Sequence, residues 1–175
     1  TGERIVAVLP RSLAWWKKQC SDHVVERPLV YLMALLSTAG PAVLRSVTQR
    51  LQLSSLQSKA VEWAGRKTDR LVQALERTKD MRPAQIYRLL AGLPDDALVL
   101  LVAKGLAMRK GGGVHRLTRR LSRFLKHDRL ATTILRGEDL KRLGLEPGPQ
   151  FKMILDRLLD ARLNGRVRTE SDERA

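Results

Sequence analysis

Apolar residues recur every three or four positions along most of the chain, the spacing of one helical face. The clearest run is Phe151, Ile154, Leu155, Leu158 and Leu159. It predicts a long helix with Phe151 in the core, and Gly165 after Asn164 reads as its stop. Leu56, Ala60, Trp63, Ala64, Leu71 and Leu75 are spaced for one buried face, which predicts a single helix to about residue 77, capped by Ser54 or Ser55. Residues 28–38 read as a core helix that Gly40-Pro41 breaks, and Pro41 opens the next helix, to about 51. Pro83 and Pro94 open two more. Asp95 and Asp96 stand in the first turn of the second, where carboxylates favour the helix dipole. Its continuation, 97–108, is nearly all apolar and belongs at the centre of a core. A further helix is predicted over 114–127.

Alternation of the strand kind is scarce. Residues 5–9 are the only short candidate, and they fit a linker or a helix start as well; 13–19 reads as a short helix with Trp15 and Trp16 on neighbouring faces. The pattern specifies an all-α chain, a multi-helix body with a C-terminal helical tail and no substantial β-sheet. Gly111-Gly112-Gly113 is the best internal boundary. It separates a helical neck or body, 1–110, from a basic helix and helix–turn–helix tail, 111–175.

The tail opens with Gly137-Glu-Asp-Leu-Lys-Arg-Leu-Gly-Leu-Glu-Pro-Gly-Pro-Gln150. Pro147 and Pro149 fit a turn and a helix start, and Gly148 between them is free to take positive φ. A helix start with a glycine beside it suits phosphate. Pro149 removes one of the donors, which favours a rigid corner between helices.

The chain has 175 residues, 43% of them apolar and 4% aromatic, and a net charge of +15. Such a balance implies a polyanionic partner, nucleic acid first. The excess is uneven: 104–129 holds 9 basic side chains and 1 acidic one, whereas 130–175 is nearly balanced with 9 and 8. Arg116, Arg119, Arg120, Arg123 and Lys126 repeat at helical spacing in that basic stretch, and Arg109 and Lys110 extend the patch. Arginine forks bind phosphate oxygens bidentately; the alternative is a solvated face paired with distant acids. The lack of local acids favours phosphate. Trp15, Trp16, Trp63 and Tyr87 are able to stack on bases, but helix packing is the expected role of each.

Cys20 is the one cysteine, so an internal disulfide is ruled out and a small, partly buried residue is expected. The most apolar run spans about a dozen residues, short of the ~20 a membrane helix needs. No membrane partner is expected.

Three segments resemble the C-terminal part of bacterial tRNA nucleotidyltransferases, the enzymes that add CCA, or only its terminal A, to tRNA 3′ ends. In chain order they are Arg50-Leu-Gln-Leu-Ser54, Arg82-Pro-Ala-Gln-Ile-Tyr-Arg-Leu-Leu90 and the 137–170 stretch with Leu-Gly-Leu-x-Pro-Gly-Pro. The resemblance implies a cytoplasmic, RNA-binding chain of the poly(A) polymerase family whose partners are tRNA and an N-terminal catalytic domain of the same protein. That domain would carry a Gly-Ser motif, an Asp-x-Asp pair, Mg and ATP or CTP. This chain has no Asp-x-Asp, and the family's nucleotide-selecting Glu-Asp-x-x-Arg element is expected to be absent from it too. No catalytic residue, metal or cofactor is therefore expected in this segment. Because it begins at Thr1, a preceding domain is expected. Asp69-Arg70 and Asp156-Arg157 read as surface charge, and His127-Asp128 lacks the further ligands a metal phosphohydrolase needs. The competing readings are a non-catalytic helical protein-interaction scaffold, favoured if 28–38 or 94–108 proves exposed, and a DNA-binding module built on the Pro-Gly-Pro turn.

Overall fold

The structure, a computed structural model, describes residues 2–20, 23–64, 66–108 and 113–174. Eleven α-helices and one 3-10 turn occur among them, and no strand, so the chain is all-α as the periodicity predicts. The helices are α1 Gly2–Gln19, α2 Arg27–Leu36, α3 Pro41–Arg50, α4 Ser55–Trp63, α5 Arg66–Arg77, α6 Pro83–Leu90, α7 Asp95–Ala107, α8 Gly113–Lys126, α9 Gly137–Arg142, α10 Pro149–Leu163 and α11 Glu170–Arg174. Proline stands in the first turn of α2, α3, α6 and α10, where its fixed φ and missing N–H cost nothing. Pro94 differs: it is the residue before α7.

The chain forms two units, Thr1–Lys79 with Gly92–Ser122, and Asp80–Ala91 with Arg123–Ala175. This partition does not follow the glycine run. Most of α8 groups with the body and α6 groups with the tail; Gly111 and Gly112 lie outside the described residues.

In the first unit α7 is the central element, packed by α1, α2, α4 and α5. Every side chain from Ala97 to Gly105 is buried, as an all-round apolar helix requires. One of them is charged. Lys104 is 1% exposed, and its Nζ donates to Asp69 Oδ1 at 2.8 Å and to the Ala64 carbonyl at 3.3 Å. Asp69 is therefore an internal partner rather than plain surface charge. The single helix expected over 55–77 is two: α4 ends at Trp63 and α5 begins at Arg66. Glycine, a poor helix former, stands between them at 65. Lys104 joins the two pieces by binding the end of α4 and the first turn of α5. Of the two candidate caps, Ser54 acts: its Oγ accepts the Gln57 N–H, and Gln57 Oε1 accepts the Ser54 N–H in return.

Residues 5–9 belong to α1, an 18-residue helix, not to a strand. Ile5, Leu9, Ser12 and Trp16 are buried on one face of it. Burying those side chains outweighs Pro10 inside the helix, which forfeits one backbone hydrogen bond. The carboxylates at the start of α7 tie down the chain ahead of α2 as well as favouring the helix dipole. Asp96 Oδ1 accepts the Glu26 N–H at 2.9 Å, and Asp95 Oδ2 lies 2.9 Å from His23 Nδ1. Cys20 is half-buried.

In the second unit α10 packs on α6 and α9. Asn164, just past the end of α10, accepts the Ala84 N–H in the first turn of α6 at 3.2 Å. Arg88 grips Asp160 with two parallel bonds, Nε to Oδ1 at 3.1 Å and Nη2 to Oδ2 at 2.8 Å. Glu173 on α11 is buried, and its carboxylate accepts the N–H groups of Ile134 and Leu135 and pairs with Arg162 at 3.2 Å. The predicted stop at Gly165 is present: its φ is +72°, and its N–H and that of Arg166 return to Arg162 and Ala161. The corner departs from expectation. Gly148 is extended at φ 180°, while Gly144 takes the positive φ of +83° and ends α9. Phe151 is only half-buried, and Leu163 is the one buried residue of α10.

Candidate nucleic-acid interface

Helix α8 docks by Leu117, Leu121, Phe124 and Leu125, spaced at i, i+4, i+7 and i+8 and all buried. The five cations predicted to form its free stripe have different fates, and Arg109 and Lys110 lie outside the described residues.

Arg120 is 7% exposed. It sits three residues after Leu117 and four before Phe124, which puts it at the margin of the docking face rather than on the far side. Its guanidinium donates to the carbonyls of Leu75, Thr78 and Lys79, the last two at 2.7 and 3.1 Å. Helix α5 ends at Arg77, so its terminal carbonyls have no helical partner and carry the negative end of the dipole. Arg120 satisfies that of Leu75, and the Thr78 and Lys79 carbonyls it also takes lie just past the helix end. Arg116 Nη1 donates to the Glu76 carbonyl at the same helix end. The stripe thus loses Arg120 to a buried capping role, and Arg116 is half-buried and partly engaged.

Arg119 and Lys126 are exposed, and no ion pair holds either among the described residues. Arg123 is exposed too, with Nε 3.4 Å from Asp128 Oδ1, a long contact. Burial pushes the Asp128 carboxyl above its ordinary value, and the Arg123 charge opposes that shift. Burial likewise raises Glu76, against the pull of Arg77.

In the first unit Trp15, His115, Arg116, Thr118, Arg119 and Ser122 line an open groove of about 440 Å³. Trp16 is buried and Trp63 half-buried. Tyr87 packs against Phe124 in the second unit, ring centres 6.2 Å apart, as expected of a packing aromatic. Also in the second unit, Arg136, Gly137, Glu138, Lys141, Pro147 and Phe151 line a concavity of about 320 Å³.

The Glu-Asp-x-x-Arg spacing expected to be absent is in fact present, as Glu138-Asp-Leu-Lys-Arg142. In the structure it is the body of α9. Asp139 accepts the Arg136 N–H at 2.9 Å and lies 3.6 Å from Arg142, the work of a helix start. Among the described residues, no three His, Cys, Asp or Glu side chains are grouped to hold a metal ion, and no helix is long and apolar enough to cross a membrane.

Comparison with known proteins agrees with the resemblance drawn from the sequence. The chain is 28% identical over 174 residues to an A-adding tRNA nucleotidyltransferase of Geobacter sulfurreducens, a match covering 97% of this chain and 19% of the relative. It therefore spans about a fifth of that protein's length. Among solved structures, an apo form of a CCA-adding enzyme superposes with a TM-score of 0.73 at 19% identity, covering 98% of this chain and 38% of the other. That likeness shows the fold. No protein-family model matches the chain.

Proposed function

We propose that this chain is the C-terminal body and tail of a tRNA nucleotidyltransferase and that it holds tRNA by its backbone while the 3′ end reaches a catalytic domain elsewhere in the same protein. The observation that carries the binding role is the sorting of cations on α8. Arg120 and Arg116 are engaged at the end of α5, whereas Arg119 and Lys126 are left exposed in a stretch almost without acids. An exposed cation without a partner is stabilised by a phosphate, and duplex RNA is recognised largely through phosphates and 2′-hydroxyls.

The contacts assigned are Arg119, Arg123 and Lys126, with Arg116 contributing charge; Arg109 and Lys110 extend them in sequence. Metal, ATP or CTP and the transfer step belong to the catalytic domain. Choice between CCA, A or poly(A) addition belongs there too, and the cytoplasm is where such a protein meets tRNA. The scaffold alternative finds little support in α7, which is buried from Ala97 to Gly105, or in α2, where Leu29, Val30, Met33 and Ala34 are buried and Leu35 is exposed.

The test is tRNA affinity of an Arg119→Glu/Lys126→Glu variant. A loss of tenfold or more, with the fold intact by circular dichroism, supports the reading; unchanged affinity rejects it.

A further inference from the structure

The groove beside Trp15 has a makeup that backbone holding does not use. His115, Thr118, Arg119 and Ser122 stand at i, i+3, i+4 and i+7 of α8, one helical face, and this face lines the groove together with Trp15. Among the described residues the lining holds two arginines and no carboxylate. It is open to solvent, with a volume of about 440 Å³.

Each group matches one part of a nucleotide. An indole face stacks on any nucleobase, whatever its identity. A guanidinium takes phosphate oxygens with directed bonds. The hydroxyls of Thr118 and Ser122 and the imidazole of His115 match the edge of a base or a ribose 2′-hydroxyl. Bases inside an A-form duplex cannot present their faces to a side chain, because they are stacked on one another. A tryptophan wall is therefore useful only to a base that has left the stack.

We infer that this groove holds one unstacked nucleotide of a single-stranded or looped RNA segment, its base against Trp15 and its phosphate against Arg119. This rests on the RNA-binding reading of α8 and adds a kind of RNA to it: the chain takes an unpaired residue as well as a duplex backbone.

The test uses the whole 175-residue chain with a short single-stranded RNA and a blunt RNA duplex, each titrated by fluorescence anisotropy against wild type, Trp15→Leu and Ser122→Leu. Trp15→Leu keeps an apolar side chain and removes the stacking face. Ser122→Leu narrows the groove from α8 and leaves Trp15 in place, so it decides the matter if Trp15→Leu fails to fold. Both variants are expected to lose about tenfold in single-strand affinity, in keeping with the loss of one base–aromatic stack, and to bind duplex as wild type does. Single-stranded RNA is also expected to quench tryptophan emission in wild type and much less in Trp15→Leu. Unchanged single-strand affinity in a folded variant overturns the inference, and so does an equal loss for duplex. Failure of wild type to bind either RNA removes the α8 reading and this one together. If duplex binds and the groove variants change nothing, this one alone falls.

Discussion

The Arg120 guanidinium donates to the Thr78 carbonyl at 2.7 Å, closing the end of α5 with a side chain that is itself buried. Its sequence neighbour Arg119 is exposed. Two adjacent arginines thus have opposite surroundings, one buried against carbonyls and one open to solvent. Arg120→Ala leaves carbonyls unsatisfied in a buried place and is expected to cost roughly 1–3 kcal/mol. Arg119→Ala is expected to stay within about 0.5 kcal/mol of wild type. Urea unfolding of the two variants checks both values.

Glu173 is the corresponding lock of the second unit. Its carboxylate accepts the Leu135 N–H at 2.7 Å and the Ile134 N–H at 2.9 Å. Glu173→Ala strands two donors and the Arg162 charge, at a cost on the order of 2 kcal/mol. Amide hydrogen exchange is expected to speed up at Ile134 and Leu135 before it does elsewhere in that unit.

Gly105 is a glycine of close approach. A Cβ there would lie 2.6 Å from Leu117 Cδ2 and 3.0 Å from Glu76 Oε1. Leu117 is fully buried and has little room to give. Gly105→Ala is therefore expected to destabilise by about 1–3 kcal/mol through overpacking, even though alanine is the better helix former. Thermal unfolding measures it.

Much of this organisation is legible in the sequence because it is local. Proline at helix starts, Ser54 with Gln57, the Gly165 stop and the apolar run of α7 are signals a few residues long. What escapes is long-range pairing. The Lys104 bridge between α4 and α5 comes from some 40 residues away, and the role of Arg120 depends on carbonyls more than 40 residues before it. Helical spacing groups Arg120 with Arg116, Arg119 and Arg123, yet a stripe that wide has a margin touching the docking face. One clue was present, the i+3 and i−4 relation of Arg120 to Leu117 and Phe124. In α1, the β-branched residues and Pro10 hid a helix that tertiary burial stabilises. Phe151 follows a helical apolar stripe, but periodicity does not say how completely a neighbour covers it.

Glu76 has a buried Oε1 with no hydrogen-bond partner, and burial raises its pKa above the ordinary 4.5. A raised carboxyl pKa means that the fold favours the neutral form. That contribution is full below the unfolded-state pKa and is lost as pH rises through the folded-state value. Glu76→Gln keeps the neutral shape at every pH. It is expected to flatten this part of the pH–stability profile and to be relatively more stable at pH 7 than at pH 4. Denaturant melts at the two pH values test this, with Asp128→Asn as a parallel case, since burial raises Asp128 despite Arg123 and His127.

The claim that exposed cations of α8 hold tRNA is tested most directly by the salt dependence of binding. Wild type is expected to show a steep linear fall of log affinity with log salt concentration. Arg119→Gln/Lys126→Gln is expected to make that slope shallower by about two, one for each phosphate contact removed. A wild-type slope near zero, or an identical slope in the double variant, would contradict the account.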